Sequence, residues 1–152
     1  MSRLLGIDLG ERRIGLAVAD PDGRAFPLAT LDRGRSKAED AARLARVAAQ
    51  ERIGELVVGL PLEASGAHGP QAELTESWAV DVAGMLGLPL TMRDERLTSH
   101  LAEQRLGPMK RGRSGGPPTR SQRNAYRARV DREAASIILQ DELDARASGA
   151  PR

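Results

Sequence analysis

Apolar and polar positions alternate in blocks that divide the chain into elements. Leu4–Gly10 and Arg13–Asp20 are β-rich runs joined by the short link Glu11–Arg12, and Arg24–Thr30 makes a third run. Between the second and third, Asp20-Pro21-Asp22-Gly23 suits a tight turn, because proline presets φ at the second position and glycine tolerates the fourth. These three runs predict an antiparallel meander. Ser36 followed by Glu39 fits a capping box, and Ala41, Leu44, Ala45, Val47 and Ala48 supply the apolar stripe of a helix ending near Gly54. Glu55–Leu60 reads as a buried strand closed by Pro61. A loop with Gly66 and Gly69 leads to a second helix over about Pro70–Leu86, and Pro89–Asp94 is a fifth strand. Thr98 or Ser99 can cap a short helix to Leu106. The Gly- and Pro-rich stretch Gly107–Ser121 reads as a mobile loop, followed by a last helix over about Arg123–Ala145.

The order β-β-β-α-β-α-β-α predicts an α/β fold, one mixed five-stranded sheet with helices on both faces. The 152 residues are expected to form a single domain over 1–147, with 148–152 as a flexible tail. Cysteine is absent, which excludes disulfides, thiolate metal sites and a cysteine nucleophile. The first apolar run is broken by Asp8, unlike a signal peptide. No stretch approaches the roughly 18 apolar residues of a membrane span, so a cytoplasmic protein with no membrane partner is expected.

Net charge is only +2, but its distribution is uneven. From Arg105 to Val130 stand eight basic residues (Arg105, Lys110, Arg111, Arg113, Arg120, Arg123, Arg127 and Arg129) and no acid, while acids outnumber bases elsewhere. A basic block on an otherwise acidic body points to a polyanionic partner.

Three acids stand where solvation does not explain them. Asp8 interrupts a run that is apolar on both faces, and a carboxylate there is costly unless a cation, a metal or several donors attend it. Gly6 and Gly10 share its strand face and leave room for a ligand or mark a bulge. Glu95 ends the fifth strand, where ligands commonly bind in such sheets. By parity it points opposite to Asp94. Asp131 has Ala134, Ala135 and Ile138 as its i+3, i+4 and i+7 neighbours, so it faces the sheet. Three inward carboxylates with no histidine or cysteine among them suggest hard cations held by oxygen, Mg²⁺ or Mn²⁺, and two such ions can activate a water against a phosphodiester. The basic block, together with Arg12, Arg13 and Arg96 beside the carboxylates, supplies groups that grip phosphate. Gly59 and Pro61 are expected to shape a loop beside the site.

Four segments resemble the RuvX/YqgF family of ribonuclease H-like nucleases: Ile7-Asp8-Leu9-Gly10 with Arg13-Ile14-Gly15-Leu16-Ala17-Val18, Val57-Val58-Gly59-Leu60-Pro61-Leu62, Asp94-Glu95-Arg96-Leu97-Thr98, and Val130-Asp131 with Ala134-Ala135 and Ile137-Ile138-Leu139. The resemblance spans nearly the whole chain. It implies a ribonuclease H-like fold with Asp8, Glu95 and Asp131 as the metal-binding and catalytic carboxylates. It also implies an endonuclease acting on structured RNA or branched DNA, either at the 5′ end of precursor 16S rRNA or on Holliday junctions, as monomer or homodimer. Two departures stand out: Arg129 precedes Val130 where lysine is expected, and the basic loop is long.

Other signals carry less. His68 and His100 are isolated, Trp78 is expected in the core, and Tyr126 either packs on its helix or stacks on a base. Ile7-Asp8-Leu9-Gly10 also resembles the phosphate loop of actin-like and sugar-kinase ATPases, but those need two such domains. A non-catalytic nucleic-acid-binding assembly factor is the remaining rival; three inward carboxylates would serve it poorly, since they repel phosphate without metal.

Overall fold

The computed structural model describes residues 3–149 apart from Leu97 and Arg113. Five strands, β1 (Arg3–Leu9), β2 (Arg13–Ala19), β3 (Ala25–Asp32), β4 (Ile53–Leu60) and β5 (Leu90–Asp94), form one sheet in the order β3-β2-β1-β4-β5. The first three pair antiparallel, and β1, β4 and β5 run parallel. This is the ribonuclease H-like arrangement that the resemblance implies. Helices α1 (Lys37–Glu51) and α2 (Pro70–Leu86) cover one face. The long helix α4 (Arg120–Ala147) crosses the other face, with α3 (Thr98–Leu106) packed on its outer side.

Parity on the strands allots the side chains. Leu5, Ile7, Ile14, Leu16, Leu56 and Val58 point to the α1/α2 face and are almost fully buried there with Leu44, Trp78 and Val82. Each removes a large aliphatic surface from water, worth about 1.5–3 kcal/mol. The opposite set, including Ala17, Ala19 and Val57, meets Ala135, Ile138 and Leu139 of α4. These side chains are smaller because the helix comes close. A Cβ built on Gly15 would lie 2.0 Å from the Asp131 carbonyl oxygen, and one on Gly6 would lie 2.8 Å from both the Ala135 carbonyl oxygen and Leu139 Cβ. The space beside Asp8 that Gly6 opens is therefore filled by α4 and is not left for a ligand.

Element ends shift from the sequence reading by a few residues, each with a local reason. Helix α1 stops at Glu51 because Arg52 turns left-handed (φ 56°), and β4 then starts at Ile53, ahead of Glu55. Ser36 caps α1 by accepting from the Glu39 N–H, but the Glu39 carboxylate accepts from Arg35 N–H, so the reciprocal half of the box is displaced by one residue. The full box sits on α4: Thr119 Oγ1 accepts from Gln122 N–H, while Gln122 Oε1 accepts from Thr119 N–H. That cap starts α4 at Arg120, so the irregular part of the basic segment ends at Thr119, two residues sooner than expected. The turn after β2 forms as read, with Gly23 at φ 82° and its N–H on the Asp20 carbonyl. Trp78 lies in the core and donates its indole N–H to Asp40, a fully buried acid that also accepts from Arg33 Nε and Gly34 N–H.

Candidate active site

Helix α4 runs along β1 so that residues four apart meet strand residues two apart. Leu143 packs near Leu4, Leu139 and Ala135 straddle Gly6, and the next turn brings Asp131 to the end of the sheet that carries Asp8. Helical and strand periodicity together thus place two acids from opposite halves of the chain at one cleft. Glu95 follows β5 directly, its N–H bonded to the Leu60 carbonyl. Its side chain lies over Gly59, where a Cβ would come within 2.8 Å of the Glu95 Cδ and 2.5 Å of Ile138 Cδ1. Gly59 therefore shapes the site by leaving the volume that the Glu95 carboxylate occupies. Asp94 points to the other side, exposed, and accepts from Arg96 Nε at 2.9 Å. The parity expected from the sequence holds.

Asp8 and Glu95 hydrogen-bond to each other. Burial pushes both carboxyls upward, Asp8 to about 6 and Glu95 to about 10. After burial, the Glu95 bond lowers Asp8 and the nearby Asp131 charge raises it. Glu95 is raised further by the charge of Asp8 and by the same hydrogen bond. Each carboxyl thus holds a proton to higher pH than a solvated acid does, and the two titrate as a pair. Asp131 stands slightly apart. Arg13 Nε donates to its Oδ2 at 2.6 Å, and the Arg13 Nη groups bond nothing else among the described residues. Among the described residues no three acids or histidines come together closely enough to hold a metal ion by themselves. Of the three acids that the sequence turns inward, Asp8 and Glu95 meet as a pair, while Asp131 lines the same cleft and is held by Arg13.

All three acids line one cleft of about 370 Å³, with Gly10, Pro61, Arg96, Thr98 and Ser99 completing its walls. A second cavity of about 270 Å³ shares Asp131 and brings in Arg13, Met109, Tyr126, Arg127 and Val130. Tyr126 donates its hydroxyl to the Gly107 carbonyl and packs against the apolar contact between α3 and α4. Of the phosphate-contact candidates, Arg13, Arg96 and Arg127 line these cavities. Arg12, Lys110, Arg111, Arg120, Arg123 and Arg129 are exposed and line neither. Arg111 donates to the Gly115 carbonyl and Arg123 to the Pro118 carbonyl. Arg113 lies outside the described residues. The Arg13–Asp131 pair was missed in the sequence; its only signal is that Arg13 falls on the α4 face of β2 by strand periodicity while Asp131 faces the sheet by helix periodicity.

The RuvX family model, described as Holliday junction resolvase, matches residues 2–145. A protein of Anaeromyxobacter dehalogenans named "Putative pre-16S rRNA nuclease" is 45% identical over 145 residues, which cover 95% of this chain and 98% of that protein. A Chloroflexus aurantiacus protein of the same name is 41% identical over 150 residues, covering 98% of this chain and 91% of its own. Among solved structures, T. thermophilus RuvC in complex with Holliday junction substrate matches with a TM-score of 0.53 at 17% identity, over 99% of this chain and 98% of that one. That last likeness is one of fold.

Proposed function

The chain belongs to the RuvX family, and on that premise we propose that it is a divalent-metal-dependent endonuclease that processes the 5′ end of precursor 16S rRNA in the cytoplasm. One observation carries the chemistry: the half-buried carboxyls of Asp8 and Glu95 meet in one cleft, and among the described residues no cationic side chain pairs with either. Deprotonated, they are two adjacent carboxylates. This is the donor set that Mg²⁺ takes, since it is usually held by one or two carboxylates and fills its shell with water and substrate phosphate oxygens. The residues therefore fit Mg²⁺ or Mn²⁺ held by Asp8 and Glu95, with Asp131 at the edge as a ligand for a second ion. When bound, such ions offset the charge that builds on the phosphoryl oxygens and acidify the attacking water.

The chain's own groups do the rest. Arg13 fixes the Asp131 carboxylate and keeps its Nη donors for a substrate phosphate. Arg96 and Arg127 extend that grip to either side, and the exposed block Lys110, Arg111, Arg113, Arg120, Arg123 and Arg129, with Arg12, attracts the polyanion from a distance. Gly10, Gly59 and Pro61 shape the cleft, while Gly6 acts indirectly by seating α4.

A four-way DNA junction is the second reading, favoured by the family's description. Junction resolution needs two coordinated nicks and hence a dimer, whereas trimming an RNA end needs one site. Purified protein incubated with labelled precursor rRNA and with a four-way junction, in Mg²⁺ or Mn²⁺, separates them. The expected result is trimmed rRNA and an intact junction. Failure to cut either substrate, or full cutting by Asp8→Asn protein, overturns the reading.

A further inference from the structure

Two acids lining one cleft make a poor place for a phosphate, so the cleft needs a donor in its wall. Helix α3 begins at that cleft with Thr98 and Ser99 in its wall. Thr98 is only 4% exposed, and its N–H bonds the Glu95 carbonyl at 3.0 Å. Its hydroxyl makes no hydrogen bond among the described residues. No buried side-chain oxygen or nitrogen among them lacks a partner, so the hydroxyl is the part of Thr98 that reaches the cleft's solvent. The N–H groups of Ser99 and His100 also stand in the first turn, where a helix has no acceptor of its own, and the residue before Thr98 is a leucine with no side-chain oxygen to cap them. A nearly buried threonine, whose hydroxyl has no partner among the described residues, and the first turn of a nine-residue helix thus stand in the wall of the cleft that Asp8 and Glu95 line.

We propose that Thr98 Oγ1 and the first-turn N–H groups of α3 form a phosphoryl-oxygen subsite, which receives a non-bridging oxygen of the phosphate to be cleaved beside Asp8 and Glu95. The proposal rests on the nuclease reading for its substrate but not for the site itself. The hydroxyl donates one hydrogen bond, and the Ser99 and His100 amides supply the others. Charge that builds on the phosphoryl group as water attacks is met on the side away from the carboxylates. A donor placed where charge develops acts on kcat more than on KM.

The test uses the full chain with Mg²⁺. Inorganic phosphate is titrated while the Ser99 and His100 amides are followed by NMR in wild type, Thr98→Val and Thr98→Ser. Saturable shifts in wild type and in Thr98→Ser, lost in isosteric Thr98→Val, are expected. Cleavage kinetics in parallel should show kcat lowered about 10²-fold by Thr98→Val at nearly unchanged KM, with Thr98→Ser restoring most of it. Amides that ignore phosphate, or a Thr98→Val enzyme with wild-type kcat, overturn the subsite. Phosphate-dependent shifts without cleavage of any nucleic acid by the wild type leave the subsite standing and sink the nuclease reading instead.

Discussion

Helix α4 covers acids at both ends of the same sheet face, and the two ends are neutralised differently. At the far end, Arg146 bonds Glu142 at 2.6 Å and also pairs with Glu55, while Arg93 lies 3.6 Å from Glu142 and Thr91 donates its hydroxyl to Glu55. Glu142 is 1% exposed yet sits among arginines. The bond to Glu55, and then that to Glu142, hold the Arg146 guanidinium more firmly protonated than usual. At the near end, Asp8 and Glu95 are also desolvated, but among the described residues no arginine or lysine pairs with either, and burial raises both. Burying an acid with its own cation builds structure, whereas burying two acids without one stores an affinity for a cation that is not part of the chain.

Single changes at each end sharpen this contrast. The largest effect is expected for Asp8→Asn and Glu95→Gln, each lowering kcat by at least about 10³-fold, several kcal/mol of transition-state stabilisation, with the fold intact by circular dichroism. Asp94→Asn, across the strand, should change kcat little. If it matched Glu95→Gln, the assignment by parity would fail.

Arg146→Ala should do the reverse. It strips Glu55 and Glu142 of their main cation and should cost about 3 kcal/mol, lowering Tm by roughly 6–12 °C while cleavage at 25 °C persists. An unchanged Tm would mean that the far end is not held together by these ion pairs.

Gly59→Ala probes the floor between the ends. Its Cβ would press on Ile138 Cδ1 and the Glu95 carboxyl. Overpacking of this kind costs about 1–3 kcal/mol, and the displaced Glu95 should also lower kcat. A variant with wild-type Tm and kcat would show that Glu95 does not need that space.

The pH dependence should separate the ends by a few degrees of Tm. Asp8 is raised from 3.8 to about 6 and Glu95 from 4.5 to about 10, so the metal-free native state binds more protons than the unfolded chain across that window. Stability therefore falls as pH rises through it. Melting metal-free protein at pH 5 and pH 8 should show the lower Tm at pH 8. Glu95→Gln should flatten the difference, and Mg²⁺ should raise Tm more at pH 8 than at pH 5. A metal-free Tm higher at pH 8 contradicts the upward shift of the pair.

The smallest structural effect is expected in the basic segment. Lys110→Ala with Arg111→Ala should leave stability within about 0.5 kcal/mol of wild type, because both side chains are exposed. The same pair should flatten the salt dependence of binding to duplex DNA by up to roughly 2 units of slope. A wild-type slope would show that neither touches phosphate.

Short-range periodicity made much of this legible in the chain alone. A run apolar on both faces along Leu4–Leu9 exposed Asp8 as an acid out of place, parity separated Glu95 from Asp94, and the apolar spacing after Val130 turned Asp131 toward the sheet. Those inferences depend on side chains a few residues apart, whose directions the local backbone sets. What the tertiary structure decided lies between residues far apart. Arg13 meets Asp131 across 118 positions, and Glu55 meets Arg146 across 91. The room beside Gly6 goes to α4, and the start of α3 brings Thr98 into the wall of the cleft that Asp8 and Glu95 line. Periodicity tells which face a charge takes; only the packing of α4 against the sheet assigned an arginine to one pair of acids and gave none, among the described residues, to the other.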